Sequence, residues 1–137
     1  MALDRAAVPV QVGEAIVPCG PDAPFLARRA VSRWLEDRAY ARLYQDVGLL
    51  VSELVTNSVR HAGLKAGAPV SIRATAADGV VRVEVHYHGH GRVRPRAPGP
   101  RQGGFGLHMV NELATRWGVS QDHGTSVWFE LAGSPAV

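Results

Sequence analysis

The segment from Ala41 to His61 carries two separate stripes of side chains when it is placed on a helix. At about 100° per residue, one stripe is apolar and consists of Val47, Val51, Leu54, Val55 and the following Ala62. The second stripe is polar, runs beside the first, and consists of Asp46, Glu53, Asn57 and His61. Such a helix buries one side and holds a carboxylate, a carboxamide and an imidazole at the edge of the core. A solvated helix face would show the same spacing, so the pattern alone leaves both interpretations open.

Strand patterns surround this helix. Residues 8–18 alternate in places and indicate an edge strand, and residues 125–131 alternate with their apolar side chains on one face. Between them, Val70–Ala76 and Val80–Val85 flank an Asp-Gly turn in residues 76–79, which is typical of a hairpin.

Two further helices complete the pattern. Apolar residues recur at helical spacing from Pro24 to Asp37, with Asp22 as the expected N-cap. A third helix is predicted over residues 106–118, with Gly118 as its stop. The order β-α-α-β-β-loop-α-β predicts a two-layer α+β sandwich, with a mostly antiparallel sheet and helices on one face. We expect one domain over residues 1–137, with its core at about 8–131 and a frayed tail at 132–137.

Composition excludes several classes of protein. No apolar run approaches the roughly 18 residues that a membrane-spanning helix needs. The N-terminus lacks the continuous apolar core of a signal peptide, and a single cysteine, Cys19, allows no intrachain disulfide. We therefore expect a cytoplasmic protein. The net charge of +3 is too mild for a dedicated DNA-binding protein.

The stretch from Val83 to Pro100 invites two further interpretations. His86, His88 and His90 alternate along a strand, where side chains two apart share a face and imidazoles suit Zn²⁺. However, Gly89 and Gly91 would turn the strand there, so an incidental affinity for zinc or nickel is favoured over a physiological site. No aromatic residues are interleaved with the arginines of residues 92–101, which favours a mobile, solvated loop over a nucleic-acid-binding site.

Three motifs together carry a family resemblance. They are VSELVTNSVRHAG (51–63), GGFGLHMV (103–110) and HGTSVWFEL (123–131). In this order and spacing, the chain resembles the GHKL-type ATP-binding domains, related to the ATPase domain of histidine kinases. Within them it is similar to the anti-sigma-factor serine kinases of bacteria. The resemblance extends from about residue 23 to residue 131 and implies the same two-layer α+β fold.

The resemblance also assigns site residues. Glu53 matches the acid proposed as general base, and Asn57 matches the asparagine that helps to hold Mg²⁺ between the phosphates of ATP. Residues 92–103 correspond to the lid over the phosphates. The remaining positions implied to contact ATP are Gly89, Gly91, Gly104, Gly106, Leu107 at the start of a helix, and Thr125 or Ser126 on the last strand.

One position departs from the family pattern. The family's strand ends in D-x-G-x-G, whose aspartate accepts a hydrogen bond from the adenine amino group. Here the same frame reads Tyr87-His88-Gly89-His90-Gly91. The Tyr87 phenol could take over the contact, or its ring could fill the adenine pocket.

Two functions follow from the resemblance. The first is an anti-sigma-type regulator that binds ATP with Mg²⁺, a sigma factor and a STAS-domain anti-anti-sigma protein, and that as an active enzyme would be a protein serine/threonine kinase. The second is a non-catalytic binding module that acts only through protein contacts. The resemblance further implies a homodimer through the sheet side, and no direct contact with nucleic acid or membrane.

Overall fold

The computed structural model describes residues 8–36, 40–88 and 107–133. Its strands form a five-stranded sheet in the order β1-β2-β3-β5-β4, in which all neighbouring pairs are antiparallel. The strands are β1 (Val10–Pro18), β2 (Pro69–Ala77), β3 (Val80–Tyr87), β4 (Arg116–Ser120) and β5 (Thr125–Ala132). The helices are α1 (Ala23–Leu35), α2 (Tyr44–His61) and α3 (His108–Leu113), with a 3-10 turn at Ala41–Leu43. The predicted α+β fold is confirmed.

The two faces of the sheet differ sharply. Along β3, buried and partly exposed residues alternate without exception, and β5 repeats the pattern up to Leu131. One face therefore packs against the helices, and the other is polar. The core-facing side chains on these two strands are Val81, Val83, Val85, Tyr87, Thr125, Val127, Phe129 and Leu131.

Helix α2 behaves as its apolar stripe predicts. Val47, Val51, Leu54, Val55 and Ala62 are all fully buried. Full burial of a Val or Leu side chain contributes about 1.5–3 kcal/mol, so this stripe alone anchors α2 firmly to the sheet. The segment before it, predicted as the first part of the helix, is a 3-10 turn.

Helix α1 lies close to the edge strand. A Cβ atom at Gly13 of β1 would lie only 2.1 Å from the indole ring of Trp34. The glycine thus lets the tryptophan pack directly on the β1 backbone, next to an irregularity in the β1–β2 register between Gln11 and Gly13. Asp22 occupies the N-cap of α1 as predicted, although its side chain makes no capping hydrogen bond.

The predicted third helix is wrong in its second half. Helix α3 ends at Leu113, and the chain then forms β4 from Arg116 to Ser120. Gly118, expected to stop the helix, instead pairs with Trp128 of β5, where a Cβ atom would lie 2.9 Å from the indole. Trp117 and Val119 favour a strand, and both pack against the core as partly buried residues.

None of the helices in the described residues is long and apolar enough to cross a membrane. The predicted tail beyond residue 133 lies outside the described residues.

Candidate functional site

The carboxylate of Glu53 joins α2 to the start of α3. It accepts hydrogen bonds from the backbone N–H groups of Met109, at 3.2 Å, and Val110, at 2.9 Å. These two amides belong to the first turn of α3, where N–H groups have no partner within the helix. Leu107, predicted to lie at the start of this helix, occupies its N-cap position. Glu53 therefore caps the helix that follows the predicted lid.

Burial shifts the pKa of the Glu53 carboxyl group. Desolvation of the half-buried side chain raises the pKa of Glu53 above its usual range. The hydrogen bonds from Met109 and Val110, together with nearby His108, oppose this shift only in part. A carboxylate with a raised pKa is a better proton acceptor than an ordinary surface acid.

Asn57 lies one helical turn further along α2 and is only 3% exposed. Its Oδ1 atom is buried and has no hydrogen-bond partner within the described residues. Leaving a buried amide oxygen unpaired costs about 1–3 kcal/mol, so we expect such an atom to bind a ligand. Mg²⁺ prefers oxygen ligands, and an amide oxygen is a suitable donor. The chemistry of Asn57 is therefore compatible with the magnesium-holding role that the resemblance implies for it.

Tyr87 is the last residue of β3, and its side chain is turned into the core, where it is 1% exposed. Burial raises the pKa of Tyr87, and the neighbouring Ser58 hydroxyl opposes the shift only partly. The Tyr87 hydroxyl has no hydrogen-bond partner among the described residues. Ser58 Oγ, close to it, donates to the Leu54 carbonyl at 3.0 Å. The Tyr87 hydroxyl thus lies near Ser58 of α2, the residue that directly follows Asn57.

Thr125 lies beside Tyr87 on the same face of the sheet. The two residues pair directly across β3 and β5, and Thr125 is 5% exposed. Gln121 Nε2 approaches Thr125 Oγ1 to 3.5 Å. Ser126, the other candidate hydroxyl, points to the opposite face, where its Oγ lies 2.8 Å from His86 Nδ1. Of the two, only Thr125 shares a face with Tyr87.

Among the described candidates, the structure forms two groups along α2. Glu53 binds the first turn of α3, whose N-cap is Leu107, and Tyr87 pairs with Thr125 at the end of β3. Asn57 lies one residue before Ser58, which adjoins Tyr87. The candidates Gly89, Gly91, Gly104 and Gly106, together with His90, the lid at 92–103 and the side chain of His61, lie outside the described residues.

Sequence reasoning missed two participants. Ser58 adjoins Tyr87, and the first-turn amides of α3 bind Glu53. Ser58 follows Asn57 directly, so it was available as a neighbour of the polar stripe. The amide contact had no sequence signal because it depends on where the chain returns after residues 89–106.

Comparison with known proteins agrees with this architecture. The family model described as the histidine kinase-like ATPase domain matches residues 21–131. A search of curated proteins gave no match. The crystal structure of the RsbU and RsbW domains of Rv1364c from Mycobacterium tuberculosis superimposes with a TM-score of 0.64 at 20% sequence identity. The match covers 88% of this chain and 32% of that one, so this chain spans about a third of the length of its structural relative.

The family match extends from before α1 to the end of β5, and it includes Glu53, Asn57, Tyr87 and Thr125. The chain belongs to the histidine kinase-like ATPase domain family.

Proposed function

We propose that this protein is an anti-sigma-type regulator that binds Mg·ATP between α2, α3 and the end of β3. The observation that carries the proposal is the buried Oδ1 of Asn57, which has no hydrogen-bond partner among the described residues and lies on a helix that also presents Glu53. A purely structural asparagine in this position would be expected to use its amide oxygen in a hydrogen bond.

Asn57, Glu53 and Thr125 have different roles in this proposal. Asn57 would hold Mg²⁺ through its amide oxygen, and Glu53 would accept the proton of a serine hydroxyl on a protein substrate. Mg·ATP, when bound, would supply the phosphoryl group with ADP as the leaving group, and the Mg²⁺ ion would offset the developing negative charge. Thr125, buried beside Tyr87, contributes a hydroxyl at the nucleobase end.

Besides accepting a proton, Glu53 caps α3, and this second role limits how its carboxylate can be oriented. Each of its oxygens already accepts one backbone N–H from α3. A carboxylate has about four acceptor positions, so it can orient a hydroxyl while it keeps the cap. Glu53 thereby couples the position of α3 to the placement of the attacking group.

Partners follow from the resemblance and from the structural relative. That relative contains an RsbW domain. For this chain we propose a sigma factor as the protein held inactive and a STAS-domain antagonist as the phosphate acceptor. A homodimer through the sheet side belongs to the same proposal.

Burial of Tyr87 favours a second candidate function. Where the family carries an adenine-reading carboxylate, this chain carries an aromatic ring that is 1% exposed. A ring packed into the core competes with a nucleobase for the same volume. The protein would then bind its partners without nucleotide.

Calorimetric titration of the full chain with Mg·ATP separates the two functions. The regulator with a working pocket binds with a Kd of about 100 μM or tighter, and the non-catalytic module shows no heat up to about 5 mM nucleotide.

The matched variants are Tyr87→Asp, which restores the family residue, and Tyr87→Phe, which keeps the ring. If only Tyr87→Asp binds Mg·ATP more tightly than the wild type, the Tyr87 ring restricts access of the nucleobase to its pocket. Equal affinities of all three proteins for Mg·ATP would contradict a nucleobase site at Tyr87.

A further inference from the structure

The polar face of the sheet carries a histidine pair that the nucleotide site does not use. His86 alternates with the buried Val85 and Tyr87 along β3, so its ring lies on the face opposite the helices. His88 follows two residues later and is exposed. The two rings stand edge to face, with centroids 4.7 Å apart and an interplanar angle of 84°.

The nitrogens of the pair converge. His86 Nε2 and His88 Nε2 lie 3.3 Å apart. At this distance, one ring N–H can also donate a hydrogen bond to the nitrogen of the other ring. Two imidazole nitrogens at about 2.0–2.1 Å from a tetrahedral zinc ion lie about 3.3–3.4 Å from each other. The observed separation fits two ligands of one ion.

A further contact orients the first ring. His86 Nδ1 lies 2.8 Å from Ser126 Oγ. In the tautomer that protonates Nδ1, this nitrogen donates to Ser126 and Nε2 presents a lone pair toward His88. Metal-binding histidines are commonly oriented by such a bond from the second ring nitrogen.

Space is available beside this pair. His86 borders a pocket of about 250 Å³ together with Ser71, Arg73, Glu84 and Ser126. No group of three or more metal-binding side chains occurs in the described part of the chain, so the protein supplies two ligands here. Water fills the remaining coordination positions of an ion with an open site.

We infer that His86 and His88 form a two-histidine site for a divalent transition-metal ion on the polar face of the sheet, oriented by Ser126. The site is independent of nucleotide binding, since its ligands face away from Asn57 and Tyr87. Imidazole ligands select ions such as Zn²⁺, Ni²⁺ and Cu²⁺ over Mg²⁺.

The test uses the full chain without an affinity tag, freed of metal, and titrated with Zn²⁺ against a fluorescent zinc chelator. We expect one ion per chain. His86→Gln and His88→Gln should each weaken the Zn²⁺ affinity at least about tenfold, and Ser126→Ala should weaken it by a smaller factor. His108→Gln, on the exposed surface of α3, is the matched control and should bind as the wild type does.

Circular dichroism of each variant establishes that it folds. Visible absorption of Co²⁺ in the same site gives a second readout, which His88→Gln should abolish. The inference is overturned if the wild type leaves all Zn²⁺ with the chelator, or if His86→Gln and His88→Gln both keep the affinity of the wild type.

Discussion

Glu53 of α2 and Val110 of α3 are joined by a 2.9 Å hydrogen bond from the Val110 backbone N–H to the Glu53 carboxylate. The two residues are 57 positions apart in the chain. The same carboxylate also accepts the N–H of Met109. The proposed catalytic base thus also caps α3, the short helix that follows the predicted lid. Its two roles can be separated by choosing the substitution.

Glu53→Ala removes both hydrogen bonds and leaves two amides of α3 without their acceptor. We expect a loss of about 1–2 kcal/mol in the free energy of unfolding, the usual cost of a missing cap, measured by urea denaturation. Glu53→Gln keeps an acceptor oxygen for one of the two N–H groups, so it should lose less stability than Glu53→Ala. The same Gln variant should bind Mg·ATP while losing phosphotransfer; retained phosphotransfer would rule out Glu53 as the base.

Tyr87→Phe tests the buried hydroxyl. This hydroxyl has no hydrogen-bond partner among the described residues, and the ring is 1% exposed. Replacing an unpaired buried polar group by an apolar one of the same shape is close to neutral or stabilising, by up to about 1 kcal/mol. Thermal unfolding of the two proteins measures the difference. A clear loss of stability in Tyr87→Phe would mean that the hydroxyl has a partner in solution.

Gly13→Ala tests the contact between β1 and α1. The new methyl group would lie 2.1 Å from the Trp34 ring, so strand or helix must shift. We expect a loss of about 1–3 kcal/mol in the free energy of unfolding, in the range of overpacked sites. Gly20→Ala is the control, because nothing lies within 4 Å of a Cβ atom there. Similar unfolding curves for the two variants would contradict the close packing of Trp34 on β1.

His86 should make stability depend on pH. Burial, followed by the charge of His88, lowers the pKa of His86 below its usual 6.5. Glu84 opposes this shift, and His123 and Arg73 add smaller lowering contributions. The unfolded chain therefore takes up this proton at a higher pH than the folded protein does. This contribution to stability is fully present above pH 6.5 and is lost as the pH falls from that value through the lower pKa of His86 in the folded protein.

The measurement is the free energy of unfolding at about pH 7.5 and pH 5.5, which bracket histidine titration. His86→Gln should show a smaller loss on acidification than the wild type. Contributions from Glu53 and the other histidines remain in both proteins and so largely cancel in the comparison. An equal loss in both would exclude His86 as the responsible group.

Periodicity predicted most of the fold because burial follows it. The stripe from Val47 to Ala62 and the alternation along β3 needed no tertiary information. Strand β4 could not be separated from α3 in this way, because Leu107, Val110, Leu113 and Ala114 continue a helical spacing up to the boundary. Pairing with β5, a contact made only in the folded chain, decides the conformation of Trp117 and Gly118.

The site was predictable to a similar degree. Helix spacing placed Glu53 and Asn57 on one stripe, and Asn57 is buried with no hydrogen-bond partner for its oxygen among the described residues. The choice between Thr125 and Ser126 required the strand register, which puts Thr125 beside Tyr87 and Ser126 beside His86. The capping of α3 by Glu53 depends on the return of a distant segment, which no local pattern encodes.

The most direct test of the nucleotide site is ATP affinity in the presence and absence of Mg²⁺, measured by calorimetry for the wild type and for Asn57→Ala. If the buried Asn57 oxygen holds the metal, Mg²⁺ should strengthen ATP binding to the wild type at least about tenfold, equivalent to about 1.4 kcal/mol, and Asn57→Ala should lose that gain while it stays folded. The same enhancement by Mg²⁺ in both proteins, or no binding of ATP to the wild type up to about 5 mM, would contradict the account.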